Sequence, residues 1–223
     1  MSSGTWLVLG SSPSMPEFAD SAFGCVDHVA TCNLGVVECM HQRRPPEVYG
    51  VLDSSAYRGL GRYIRAMQDD CGTMVVTDDG AAKRGVHADL VLLQQRWKPD
   101  SVYRRGMYLA APCSGAMILQ VVLMLGAKRV VLVGMEGYRS TRQERKPDTF
   151  TGAMGCEGAG EMTLAWYGPL LQQIVDGCPD VAFVMCGDPA FPLQGRNLRW
   201  YREPERFAQA MEATSDELMC VHR

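Results

Sequence analysis

Two short loops and a handful of polar residues carry most of the chemistry this sequence can do. Gly10-Ser11-Ser12-Pro13-Ser14 follows the apolar run Trp6-Leu7-Val8-Leu9 directly. Glycine lets the chain turn sharply and lets a ligand approach the backbone, and serine hydroxyls with the amides after them can bind oxyanions. The segment is a phosphate-loop candidate in the loose sense. It lacks the Gly-Lys-Ser/Thr ending of a Walker A loop and the Gly-x-Gly-x-x-Gly spacing of a dinucleotide fingerprint. The second loop, Ala111-Pro112-Cys113-Ser114-Gly115, opens a stretch to Leu125 that is apolar nearly all round, as in a helix buried against a sheet. Such a helix aims free amides and the positive end of its dipole at whatever occupies the cleft. Ser114 suits an N-cap. Cys113, at a helix start, could have a lowered thiol pKa and act as a nucleophile, although no histidine lies near it in sequence.

Other polar residues end apolar runs one by one: Asn33, Asp53, Asp78-Asp79, Gly134-Met135-Glu136 and Gly187-Asp188. Magnesium needs only one or two carboxylates beside substrate phosphates, so Asp53 alone could serve it. Asp78-Asp79 with Gly80 reads as a turn. Residues 137–161 are glycine-rich, basic in their first half and poorly periodic. A stretch of that length is expected to be a lid or binding loop. Arg139, Arg142, Arg145 and Lys146 would suit a phosphate beneath it.

The elements that must position these residues are legible as alternating patterns. Seven apolar runs of strand length begin at Trp6, His28, Val48, Thr73, Asp89, Arg129 and Val181. They are continuous and do not alternate with polar residues, as expected for strands covered on both faces. Helical patterns lie near 34–42, 55–70, 114–126, 160–176 and 203–213. Strands alternating with helices predict a single α/β domain over 1–223, doubly wound and mostly parallel, of about seven strands. Residues 137–161 form the expected lid, and 192–223 a C-terminal extension carrying Arg196, Arg199, Trp200, Tyr201 and Arg202. In such a sheet, ligands bind beyond the carboxyl ends of the strands, where the polar residues above accumulate.

Composition narrows the function. The chain has 223 residues, 47% of them hydrophobic and 21% charged, with a net charge of −3. That is an ordinary globular balance, and it argues against a dedicated nucleic-acid binder, which usually carries a basic face. No apolar run reaches the ~18 residues of a membrane span, and the N-terminus lacks a basic region followed by a long apolar one. A cytoplasmic location is expected. The nine cysteines are odd in number and scattered, without a Cys-x-x-Cys pair. They predict reduced, small core residues and no zinc-type cluster.

The order of these motifs resembles the small bacterial sialyltransferases of glycosyltransferase family forty-two and the wider Rossmann-like group that includes hydroxymethylpterin pyrophosphokinase-like proteins. The matching residues are Gly10-Ser11-Ser12-Pro13-Ser14, Cys32-Asn33, Cys113-Ser114-Gly115, Gly126-Ala127-Lys128-Arg129 and Gly134-Met135-Glu136-Gly137-Tyr138. The resemblance implies a Rossmann-like domain around a nucleotide sugar. Gly10, Ser11 and Ser12 would lie against the ribose-phosphate, with Ser14 of the same loop also in the binding site, and Asn33 would hydrogen-bond the nucleotide. Cys113, Ser114 and Gly115 would meet it through backbone amides, and Tyr138 would hydrogen-bond the leaving phosphate. The family's lid histidine, its general base, has no counterpart in 137–221; Glu161, ahead of Glu157, is the substitute by position. The family's arginine shortly before Ser-Gly is replaced by Ala111, so sialic acid need not be the donor sugar.

The function expected from this is glycosyl transfer from a nucleotide sugar to a small-molecule or glycan acceptor, with no obligatory metal. Arg142 and Arg145 would supply charge to the departing phosphate. Two alternatives remain: a pyrophosphokinase-like enzyme using ATP and magnesium at Asp53, and a non-catalytic nucleotide-binding protein of the same fold.

Overall fold

The computed structural model describes residues 4–12, 14–135, 163–188 and 190–212. Eight strands form one sheet: β1 (Thr5–Leu9), β2 (His28–Cys32), β3 (Val48–Gly50), β4 (Met74–Asp78), β5 (Leu90–Leu92), β6 (Arg129–Val133), β7 (Ala182–Cys186) and β8 (Leu198–Tyr201). Their spatial order is β5-β4-β3-β2-β1-β6-β7-β8, and every pairing is parallel. The chain thus builds outward from β1 to one edge, crosses back, and builds from β6 to the other. The topological switch falls between β1 and β6, paired from Thr5↔Arg129 to Leu9↔Val133. This is the doubly wound, Rossmann-like α/β architecture expected.

The described helices are α1 (Met15–Gly24), α2 (Gly35–His41), α3 (Ser54–Cys71), α4 (Asp79–Lys83), α5 (Ser114–Met124), α6 (Gly168–Gly177) and α7 (Pro204–Glu212), with a π-helical turn at Thr163–Tyr167 before α6. Strand side chains alternate between two layers. Trp6 and Val8 of β1 join α5 and α6 in the larger core, while Leu7 and Leu9 meet α1 and Phe207 of α7 on the opposite face. Beyond them, α3 and α4 cover β3 and β4 with Leu60, Ile64 and Ala81. Helix α5 is buried along almost its whole length, which explains its lack of a polar face. Its one buried amide side chain, Gln120, accepts from the Leu109 amide (2.8 Å) and donates to the Leu109 carbonyl (3.0 Å). That exchange fastens the long segment leading into α5.

Three elements depart from the sequence expectation. Helix α1 was not foreseen, because Ser14-Met15-Pro16 reads as loop; Pro16 instead occupies the first turn, where its missing N–H costs nothing. The strand count is eight, since Leu198–Tyr201, expected in a C-terminal extension, pairs with β7 from Phe183↔Leu198 to Cys186↔Tyr201. Trp200 is accordingly a packing residue, half-buried against the core, with its indole N–H donated to Leu193 (3.3 Å). Asp78-Asp79 is not a simple turn. Asp78 ends β4 and caps α4, accepting the Ala81 amide at 2.7 Å, and its other oxygen accepts from Gln94. The expected lid, 137–161, lies outside the described residues.

Candidate functional site

At the switch point the carboxyl ends of β1 and β6 are stitched together. The Gly10 amide donates to the Val133 carbonyl (2.8 Å) and the Ser12 amide to the Gly134 carbonyl (3.1 Å). Ser12 is buried, and its carbonyl accepts from the Met15 amide (3.0 Å), so the loop passes straight into α1. A Cβ at Gly10 would stand 2.2 Å from the Gly134 oxygen, and Gly134 itself turns at φ +69°. Both glycines are required by this contact. Ser14 takes the N-cap position of α1, and Ser11 is half-buried on the loop.

Beside this loop, β2 ends in Cys32-Asn33. Leu9 and Thr31 are in register, and the Thr31 hydroxyl donates to the Leu9 carbonyl (3.0 Å). Asn33 therefore sits next to the Gly10–Ser12 loop, with a positive φ of 46°. Asparagine is one of the few residues that tolerate that region. Its side-chain Oδ1 is buried without a hydrogen-bond partner among the described residues. A buried acceptor left unpaired costs about 1–3 kcal/mol, so such atoms ordinarily have a ligand or water to meet.

Helix α5 enters from the other side of the crevice. Cys113 is its N-cap, in extended conformation, and Ser114 is the first helical residue; the cap is one position earlier than expected. Ser114 is buried, and its Oγ accepts from the Leu52 amide (3.0 Å), tying the α5 start to the end of β3. A Cβ on Gly115 would meet Met135 Sδ at 2.7 Å and Cys32 Sγ at 3.8 Å. Met135, named in the sequence only as part of the strand end Gly134-Met135-Glu136, thus lies between Gly115 and Gly10. Its carbonyl accepts from the Tyr167 hydroxyl at 2.6 Å. Tyr167 is absent from the sequence expectations, since a buried tyrosine in a helical run carries no signal of its partner.

The site does not support cysteine nucleophilic chemistry. Burial pushes the Cys113 thiol up to about 11, against a smaller opposing effect of the Ala116 and Gly115 amides. That shift runs opposite to the lowering a helix start can give, and so against a nucleophilic role for half-buried Cys113. Asp53 directly precedes α3, where its carbonyl accepts from the Tyr57 amide (2.9 Å). Among the described residues, no group of three His, Cys, Asp or Glu side chains is placed to hold a metal ion, and no disulfide forms. No described helix is long and apolar enough to cross a membrane.

The structure therefore brings Gly10, Ser11, Ser12, Asn33, Cys113, Ser114 and Gly115 around one crevice, with Asp53 beyond Leu52 on the neighbouring strand end. Tyr138, Arg142, Arg145, Glu157 and Glu161 lie outside the described residues. A cavity of about 550 Å³, lined by Asp20, Cys25, Asp27 and Arg129 among others, opens at the amino ends of β1 and β6. It is at the wrong end of the sheet for the ligand position typical of open α/β folds.

No family model matches the sequence, and no curated protein matches it. Among solved structures, the chain is similar to the MAf glycosyltransferase from Magnetospirillum magneticum AMB-1, with a TM-score of 0.53 and 16% sequence identity. The match covers 96% of this chain and 38% of that one, so the chain spans well under half of its neighbour's length. At that identity the likeness is one of fold.

Proposed function

We propose that the chain is a glycosyltransferase that takes a nucleotide sugar as donor and uses no obligatory metal. The observation that carries this is Asn33 Oδ1, which has no hydrogen-bond partner among the described residues and is buried beside the switch-point loop where α/β sheets take their ligands. The fold likeness to a glycosyltransferase points the same way. Gly10, Ser11, Ser12 and Ser14 would receive the ribose-phosphate, and the α5 start the anionic end of the nucleotide. Met135 would have to swing aside for close approach to Gly115, which an unbranched thioether does at low cost.

Transfer forms a bond from the acceptor oxygen to the anomeric carbon and breaks that carbon's bond to the phosphate. The nucleotide leaves as an anion and the acceptor proton passes to a base. From sequence, Tyr138, Arg142 and Arg145 are the groups for the departing phosphate, and Glu161, ahead of Glu157, is the base. Tyr138→Phe should lower turnover about ten- to a hundredfold, the scale of one lost oxyanion-type donor. Glu161→Gln should abolish transfer and leave nucleotide affinity nearly unchanged. Transfer by the Glu161→Gln protein at the unsubstituted rate would remove Glu161 from the mechanism.

Thermal unfolding with cytidine, uridine, guanosine and adenosine nucleotides, with and without magnesium, tests the binding step. A ligand at 100 times its Kd should add about 2.7 kcal/mol of apparent stability. No shift at millimolar concentration would reject the site. A shift confined to ATP with magnesium would transfer the proposal to pyrophosphokinase-like chemistry at Asp53, and binding without turnover to a non-catalytic nucleotide-binding protein.

A further inference from the structure

In the π-helical turn Thr163–Tyr167 two successive aromatic residues have different surroundings. Tyr167 is buried, its ring edge-on to Phe191 (5.4 Å, 87°) and its hydroxyl on the Met135 carbonyl. Trp166, the residue before it, is 55% exposed. π-helical turns are rare and recur at functional sites. Other strongly exposed apolar side chains, such as Leu93 and Val102, are aliphatic and flexible. Trp166 instead has a flat, ordered neighbour: its ring lies 6.2 Å from that of Trp97 at an interplanar angle of 38°.

Trp97 is held firmly. Its indole N–H donates to Gln173 Oε1 of α6 (2.8 Å), and Gln173 Nε2 donates to the Pro99 carbonyl (2.8 Å). The side chains of Arg96 and Lys98, on either side of Trp97 in sequence, are exposed. The result is a pre-positioned pair of indoles, one of them largely exposed, with exposed Arg96 and Lys98 flanking Trp97 in sequence. That combination fits a sugar ring better than it fits a protein. The C–H bonds on one face of a pyranose are attracted to the electron-rich face of an indole, while its hydroxyls reach polar side chains at the rim. A protein interface needs a broad apolar centre of about 800 Å² per partner, and one tryptophan pair is far smaller.

We propose that Trp166 and Trp97 form a subsite for a pyranose ring of the acceptor glycan. This rests on the glycosyl-transfer function proposed above. Its place relative to the crevice suits an acceptor. Met135 touches Gly10 and Gly115 with its side chain and Tyr167 with its carbonyl, and Trp166 is the next residue along. An acceptor must adjoin the donor site for its hydroxyl to reach the anomeric carbon.

The test uses the full-length protein and a panel of methyl α- and β-glucosides, methyl α- and β-galactosides and lactose, followed by saturation-transfer NMR and by tryptophan fluorescence. The expected result is saturation transfer to the C–H face of at least one pyranose, with a fluorescence change. Trp166→Ala should weaken that binding about tenfold or more, and Trp166→Phe, which keeps a stacking face, no more than about threefold. Both variants alter an exposed side chain and should keep the thermal shift that nucleotides produce. Absence of saturation transfer from the whole panel, in protein whose melting point nucleotides do raise, overturns the subsite and leaves the nucleotide site standing. Unchanged glycoside affinity in Trp166→Ala also overturns it. So does self-association in sedimentation that Trp166→Ala removes, without glycoside binding, since the tryptophans are then a protein contact. Glycoside binding that depends on Trp166, with no nucleotide shift, supports the subsite and sinks the donor site instead.

Discussion

At Gly10 the backbone leaves no room for a side chain, because the atom it would strike is a main-chain carbonyl bonded to the Ser12 amide. Gly10→Ala should cost about 2–3 kcal/mol in urea unfolding, as overpacking against backbone does, and should weaken nucleotide binding together with stability. The cysteines give a second expectation. Burial raises the thiols of Cys25, Cys113 and Cys178 to about 11 and that of Cys39 to about 12, from an ordinary value of 9.0. The folded state therefore keeps protons that the unfolded chain gives up. Stability should stay flat with respect to these groups below about pH 8, and fall as pH rises from about 9 towards 11. Melting points across that range check the sign. At pH 7.5, iodoacetamide should modify exposed Cys71 long before Cys113. Asn33 shows what sequence can supply at this scale: its position after a strand was enough to nominate it, while the lack of a partner for its oxygen among the described residues emerges only from the fold.

Among the elements, α5 shows how much depends on a single polar residue in an apolar run. Gln120 satisfies both backbone groups of Leu109, far from water. Gln120→Leu keeps roughly the volume and leaves an amide and a carbonyl unpaired, so it should cost about 2–4 kcal/mol in denaturant unfolding. The segment leading to Cys113 should also become more open to proteolysis. The central strands and α5 were legible because continuous apolar runs have few other solutions in a globular chain. Helix α1 was hidden by Pro16, which normally breaks helices but is welcome in a first turn. Strand β8 was hidden because Leu198-Arg199-Trp200-Tyr201 is half-exposed at an edge and carries a charge. Edge strands dilute the hydrophobic signal on which sequence patterns rely. The contacts of Met135 and Tyr167 could not be read from sequence, since each matters through a contact between distant segments.

For the molecule as a whole, the crossover between β5 and β6 decides where function can be. The first five strands follow one another outward from β1 to one edge, and the last three follow one another outward from β6 to the other. The crevice belongs to neither group. It exists only where β1, near one end of the chain, meets β6, about 120 residues later. Loop closure across that distance is slow compared with pairing of consecutive strands. During synthesis at about 5–20 residues per second, β1 must wait several seconds or more for its second neighbour. In pulsed hydrogen exchange during refolding, the Gly10 amide, bonded across the seam to Val133, should gain protection after the amides between β2, β3 and β4. The switch-point site proposed for the nucleotide is then a late product of folding, assembled only when both halves of the sheet are joined. A bound nucleotide would act as a proofreader of assembly, rewarding only chains that have closed the seam.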